Sequence, residues 1–359
     1  MRAWVLVFGL ACCATPVEPE PMAPAPRRSG PRPAGRLVVE RRSDAGPRTC
    51  FATPDGDAEC PEALVGWSPL SVSPDGASVA VIRDAEPGVS PRLGVFRPGD
   101  PDVMWVVPGG GVRRADAPDD AATARWADAT TLVLQGPRDP TCTVNRDGEC
   151  PAPGGLWRAR IDAPRPCGDG RCVDASRLTE DPLGCFEPDG DAHGGVVFAA
   201  SRDGNAEIYR LLADGAWERL TDDPADDLRP RLDPTGTRVA HLSNRGGRLH
   251  LRLVDLAGDR PLGEIPGEPV AVDWSAVGDL LAVLTTSSGG SVHLVDTSGT
   301  TSAPIPGRAF AWHATGRYLA VEVADDDGGT AVIAVHRSGV PVEDYRVAGA
   351  RPAGWLTTR

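Results

Sequence analysis

From Val196 to Asp233 short apolar runs alternate with polar turns, and the alternation is clear enough to read as one folded unit. The unit opens on a β-rich run followed by a Gly turn. Ile208 to Leu212 is a second run, ended by Asp214-Gly215, and a third ends at Arg219-Leu220-Thr221. Arg229 to Leu232 follows, then the turn Asp233-Pro234-Thr235-Gly236 and another run from Arg238 to Leu242. Four short strands joined by tight turns predict one antiparallel sheet.

The unit recurs. A large apolar residue, a Pro/Asp/Gly-type turn and a Val/Leu-rich strand reappear with anchors at Val72, Trp126, Phe186, Leu232, Trp274, Trp312 and Trp355. The turns after them are Ser73-Pro74-Asp75-Gly76, Ala127-Asp128-Ala129-Thr130, Glu187-Pro188-Asp189-Gly190, Asp233-Pro234-Thr235-Gly236, Ser275-Ala276-Val277-Gly278 and His313-Ala314-Thr315-Gly316. Proline presets φ for such a turn and glycine takes its left-handed position. Only the second unit lacks the glycine. The anchor tryptophans are expected as wedges between neighbouring sheets, each a large apolar body with one N–H to satisfy.

Trp355 stands almost at the C-terminus, so the last unit must find its other strands elsewhere. Gly35 to Glu40 matches the post-turn strand Gly316 to Glu322, Thr49 to Ala52 would supply a third strand and Ala63 to Val65 a fourth. A blade built from one C-terminal and three N-terminal strands seals a ring and leaves no open edge. The expected fold is therefore all-β, a seven-bladed β-propeller with six blades as the alternative. The regular spacing favours blades over a Greek-key sandwich.

The segment Phe198 to Gly236, with SRDGNAEIY, RLTDDP and RPRLDPTG, resembles the TolB-like (WD40-like) β-propeller repeat, and the resemblance runs from about Leu70 to Ala348. It implies that the strand before each Pro-Asp-Gly turn is innermost. The channel-lining candidates are then Ser71, Arg125, Glu187, Arg231, Asp273 and His313. It also implies a non-catalytic scaffold that binds an envelope protein or peptide at the channel mouth or on the surface loops. The same propeller also serves peptidases and lyases, so the repeat specifies fold more than function.

Charge and cysteines add a compartment. A net charge of −13 repels phosphate backbones and excludes nucleic acid as a natural partner. Met1-Arg2-Ala3, the short apolar run Trp4 to Ala11 and then Cys12-Cys13 resemble a bacterial lipoprotein signal; Cys12 fits the lipidated position better than Cys13 because the small Ala11 precedes it. An ordinary secretory signal cut slightly later is the alternative. The expected division is a signal at 1–12, a proline-rich tether at 13–35 and a propeller at 36–359. It describes an exported monomer, lipid-anchored in the envelope of a Gram-negative-type bacterium, in the outer membrane and facing the periplasm or the exterior. Short polar loops favour three local disulfides, Cys50 with Cys60, Cys142 with Cys150 and Cys167 with Cys172, leaving Cys13 and Cys185 over.

Catalytic and cofactor signals are weak. No Gly-x-Ser-x-Gly elbow occurs, and His313 alone among the histidines falls on an inner strand, so no multi-histidine channel site is expected. The chain is read as a non-enzyme without cofactor, an envelope hydrolase or lyase acting on glycans or peptides being the alternative. Calcium at Asp55-Gly56-Asp57, Asp189-Gly190-Asp191 or Asp325-Asp326-Asp327-Gly328 is the minor option, since Asp-Gly is also the ordinary hairpin turn.

Overall fold

The computed structural model describes residues 32–357 apart from 45, 84–91, 108–123, 136–154, 169, 180–184, 203 and 287–288. Cys12 and the pair Cys142 and Cys150 lie outside the described residues.

The last strand does pair with the first. β1 (Arg36–Ser43), β2 (Gly46–Ala52) and β3 (Ala58–Glu59) form a 4-stranded sheet with β29 (Arg351–Leu356) in the order β29-β1-β2-β3. Leu37 sits opposite Trp355 and Glu40 opposite Arg351. The fourth strand is not where the sequence placed it: β3 falls at Ala58–Glu59, and Glu62–Leu64 forms a 3-10 turn. Leu64 is buried against β2 and Trp67, and of the expected segment Val65 keeps a single antiparallel bridge to Arg48 of β2.

The other sheets follow the repeat. β4 (Ser68–Val72), β5 (Val79–Arg83), β6 (Arg92–Phe96) and β7 (Met104–Val107) make one antiparallel run. β8 (Ala124–Trp126), β9 (Thr131–Gln135), β10 (Leu156–Arg160) and β12 (Gly170–Arg177) make the next, with β11 (Arg165–Cys167) hairpinned onto β12. A parallel β7–β12 pairing, Val106 opposite Val173, fuses these two runs into one 9-stranded sheet.

Four further 4-stranded sheets complete the body. They are β13 (Cys185–Gly190) to β14 (Val196–Ala200), β15 (Glu207–Leu211) and β16 (Trp217–Arg219); and β17 (Asp227–Leu232) to β18 (Val239–Ser243), β19 (His250–Asp255) and β20 (Gly258–Pro261). Then come β21 (Pro269–Trp274) to β22 (Leu280–Thr285), β23 (Ser291–Asp296) and β24 (Ile305–Pro306), and β25 (Ala309–Trp312) to β26 (Tyr318–Ala324), β27 (Thr330–His336) and β28 (Pro341–Ala348).

First strands of consecutive runs touch around the ring: β29 meets β4, β4 meets β8, β8 meets β13, β13 meets β17, β17 meets β21 and β25 meets β29. The core lies between sheets. Apolar clusters join each run to the next, such as Ala240, Leu253 and Val283 between the β17 and β21 sheets and Leu37, Ala320 and Trp355 across the closure. Burying one such Leu or Phe stabilises the fold by about 1.5–3 kcal/mol, so cohesion is spread round the circle. The architecture is a β-propeller. Cys50 is bonded to Cys60 and Cys167 to Cys172, each stapling an outer hairpin; Cys185 is buried. Among the described residues no helix is long and apolar enough to cross a membrane.

Candidate functional site: the axial channel

The turn after each first strand decides which residue reaches the axis. Asp233 N–H donates to Arg238 O at 2.9 Å and Gly236 N–H to Asp233 O at 2.9 Å, closing the turn with Gly236 at φ 72°. Ser73, Ser275 and His313 open equivalent turns. In the β13 sheet the turn is Asp191-Ala192-His193-Gly194, closed by Gly194 N–H on Asp191 O at 3.1 Å with Gly194 at φ 86°. The sequence had placed it four residues earlier, at Glu187-Pro188-Asp189-Gly190. Gly190, not Phe186, is therefore the counterpart of Leu232, and Asp189 the counterpart of Arg231.

Glu187 is accordingly corrected out of the axial ring. It matches Arg229; both have φ 52°, a rare conformation for a side-chain-bearing residue, at equivalent bulges in β13 and β17. The two meet, Arg229 N–H donating to Glu187 Oε2 at 2.6 Å.

With this register the axial residues, one before each anchor, are Ser71, Arg125, Asp189, Arg231, Asp273, Ala311 and Gly354. Interblade tryptophans hold their backbones: Trp126 Nε1 donates to Ser71 O at 3.4 Å, Trp274 Nε1 to Arg231 O at 2.9 Å and Trp312 Nε1 to Asp273 O at 3.2 Å. The wedge role read from the repeat is thus also a clamp. At Gly354, φ is 136° and a Cβ would lie 2.8 Å from Val72 Cγ2, so nothing larger fits there.

The ring is lopsided. Four consecutive positions alternate Arg, Asp, Arg, Asp; three are neutral and small. Arg125 reaches Asp273 Oδ2 at 3.3 Å across the channel. Asp189 accepts the Leu232 N–H at 2.9 Å, and Arg231 donates to Pro230 O at 2.8 Å. Burial pushes the Asp189 carboxyl up from its ordinary range against the pull of Arg231 and Arg125. Burial and the like charge of Arg125 bring Arg231 down to about 10. Burial also works against the charge on Arg125, but Asp273 and Asp189 outweigh it and raise the group. Arg125 Nε, Arg231 Nε and Ser71 Oγ are buried without a hydrogen-bond partner.

Beside the small arc lies a cavity of about 430 Å³, lined by Ser71, Arg125, Asp189, Asp273, Ala311 and Gly354 among others. Pro74, Ala129, Ala192, Pro234, Ala276 and Ala314, all in the first turns of their sheets, also line it, so its mouth opens on that face. Arg231 stands behind the wall. His313 is a turn residue at the rim, with Nε2 2.8 Å from Ala34 O; it tethers the chain entering β1 to the mouth. Sequence reasoning missed Asp189, whose signal was Pro188 standing where Pro230 stands one unit on.

A second polar cluster, across β17 to β20, is largely paired, although His241 Nδ1 and Asp227 Oδ1 are buried without a hydrogen-bond partner. His241 Nε2 lies 3.1 Å from Asp259, which also takes Arg252 at 3.0 Å and Arg245 at 2.8 Å; Asp227 completes the group. Two guanidiniums make this a poor cation cradle and a good ion-pair network. Among the Asp-Gly turns, Asp55 binds Arg32 at 3.0 Å and Asp325 pairs with Arg346.

No protein-family model matches the chain. The "Protein TolB homolog" of Chlorobium luteolum is 31% identical over 113 residues, which is 31% of this chain and 26% of that relative; the match thus spans about a quarter of the relative's length. The crystal structure of TolB from Acinetobacter baumannii aligns with TM-score 0.50 and 15% identity over 90% of this chain and 67% of that one. Prolyl oligopeptidase B from Galerina marginata aligns with TM-score 0.53 and 11% identity over 86% of this chain and 48% of that one. At these identities the structural likenesses speak for the fold alone.

Proposed function

We propose that this chain, a TolB-like β-propeller, is a non-catalytic scaffold that binds a protein or peptide of the bacterial cell envelope at its channel mouth. The observation that carries this reading is the mouth itself, a cavity of about 430 Å³ walled by Arg125, Asp189 and Asp273 on one side and by Ser71, Ala311 and Gly354 with Phe310, Trp312 and Trp355 on the other. Specific binding sites pair concavity with a few fixed polar groups in this way.

The face around the mouth supports it. Among the described residues the exposed large hydrophobics Leu212, Leu256, Val277 and Val340 all sit in turns after the first or third strand of a sheet, and antiparallel order puts those turns at the mouth end. Isolated apolar residues are ordinary on a surface, but their gathering on one face suits a partner. The reading takes the units as seven blades, the fused sheet counting as two. It takes 1–12 as a signal, Cys12 as the lipidated residue, 13–35 as the tether, and the outer membrane as the anchor site. Because Ala34 is held by His313 at the rim, the tether leaves from the mouth face.

A hydrolase or lyase would need a nucleophile or a convergent acid–base pair. Among the described lining residues the axial carboxylates Asp189 and Asp273 face arginines instead. The test is a photo-reactive residue placed at Ala276 on the mouth face or at Arg346 on β28, followed by irradiation of intact cells. A discrete adduct from Ala276 and none from Arg346 is expected; adducts from neither, or from both alike, contradict the reading. Cys12→Ser should move the protein from the membrane to the soluble fraction.

A further inference from the structure

We propose that the channel takes a carboxylate of the bound peptide onto Arg125, with Ser71 beside it, in place of Asp273; this rests on the peptide-binding reading above. Arg125 is an incompletely bonded cation at the wall of the cavity. Its bond to Asp273 is 3.3 Å long, against about 2.7–2.9 Å for a well-formed charge-assisted pair. Its Nε has no acceptor, nor has the hydroxyl of Ser71 on the neighbouring strand of the ring. The Asp273 side chain is 40% exposed, so water can receive it when it is displaced.

The space for a newcomer is already there. Ala311 and Gly354 leave the cavity open opposite the charged arc, and the close approach of Val72 keeps position 354 small. Among the described residues that line the cavity, the unsatisfied groups are the Arg125 Nε and the Ser71 hydroxyl. A cationic ligand would meet Arg125 in the wall, and a neutral amide would give an acceptor without a charge. A carboxylate supplies two acceptor oxygens in the geometry that a guanidinium fork binds in pairs. The carboxylate can belong to an Asp or Glu side chain or to a chain terminus; the chemistry is shared and the test separates them.

The test uses purified full-length protein and three randomised heptapeptide pools: one with an internal Glu and an amidated end, one with Gln in its place, and one with Gln and a free terminal carboxylate. Glutarate is titrated separately by tryptophan fluorescence. The Glu pool or the free-end pool should bind about tenfold more tightly than the Gln amide pool, and whichever does so names the source. Arg125→Gln should abolish the preference, so that within this variant the Glu and free-end pools bind no more tightly than the Gln amide pool. Asp273→Asn, which frees Arg125 without removing it, should raise the preference several-fold and decides the matter if Arg125→Gln does not fold. Equal binding of all pools, or a preference indifferent to both substitutions, overturns the carboxylate site and leaves peptide binding standing. Glutarate binding that needs Arg125, with no pool bound, keeps the site and removes the peptide reading; no binding of any probe removes both.

Discussion

Trp274 shows how one side chain can hold both core and site. Its ring is buried between two sheets, the Arg238 guanidinium lies 5.0 Å over it, and its Nε1 holds the carbonyl of axial Arg231. Trp274→Phe should cost about 1 kcal/mol, the worth of one net hydrogen bond, and Trp274→Ala about 3–5 kcal/mol; urea unfolding measures both. His313 gives a pH dependence. Burial holds its imidazole below the ordinary value of 6.5 against the bond to Ala34, so the folded protein keeps it neutral where the unfolded chain takes up a proton. Stability contributed this way is full above 6.5 and falls as the pH drops. His313→Gln keeps a donor for Ala34 and should lessen the loss between pH 7.5 and 5. Some slope will remain, because burial lowers His293 as well. Identical slopes in the two proteins contradict the assignment. The same scale exposes where sequence reading slipped. Glu187-Pro188-Asp189-Gly190 fits the turn template better than Asp191-Ala192-His193-Gly194, yet the chain folds on the second, because the bulge at Glu187 consumes the extra residues.

At the level of elements, legibility followed locality. Outside the β13 sheet the turns, hairpins and the strand after each anchor are plain, and so is the pairing of the two ends, since Gly35 to Glu40 carries the pattern of a second strand with no first strand before it. The parallel seam between β7 and β12 was not readable, because parallel pairing leaves no turn between its partners. β3 escaped for a related reason: two residues are too few to show alternation. The hairpin that β3 closes is stapled by Cys50 and Cys60, which are 10 residues apart. Replacing both by alanine should cost about 2–3 kcal/mol by the loop-entropy estimate. With both proteins in reductant, which also opens Cys167–Cys172, the parent should fall to the stability of the double variant, and an unchanged midpoint of the double variant without reductant would speak against a stabilising staple.

For the whole molecule, the channel exists only because the ring closes. Strand β29 supplies Gly354 to the small arc and Trp355 to the cluster that joins the first sheet to the last, and Thr357 N–H reaches Gly76 O at 2.9 Å on the next turn round the mouth. If that strand came away, the cavity would lose a wall and two apolar interfaces would open to water. Hydrogen exchange read by mass spectrometry tests this directly. The amides of Leu37–Glu40 and Arg351–Leu356 should exchange only with global opening, as slowly as those of Val197–Ala199 at the centre of a continuous sheet. Exchange of the terminal strands at the rate of an unpaired chain, while Val197–Ala199 stays protected, would mean an open fan of sheets with no axial site.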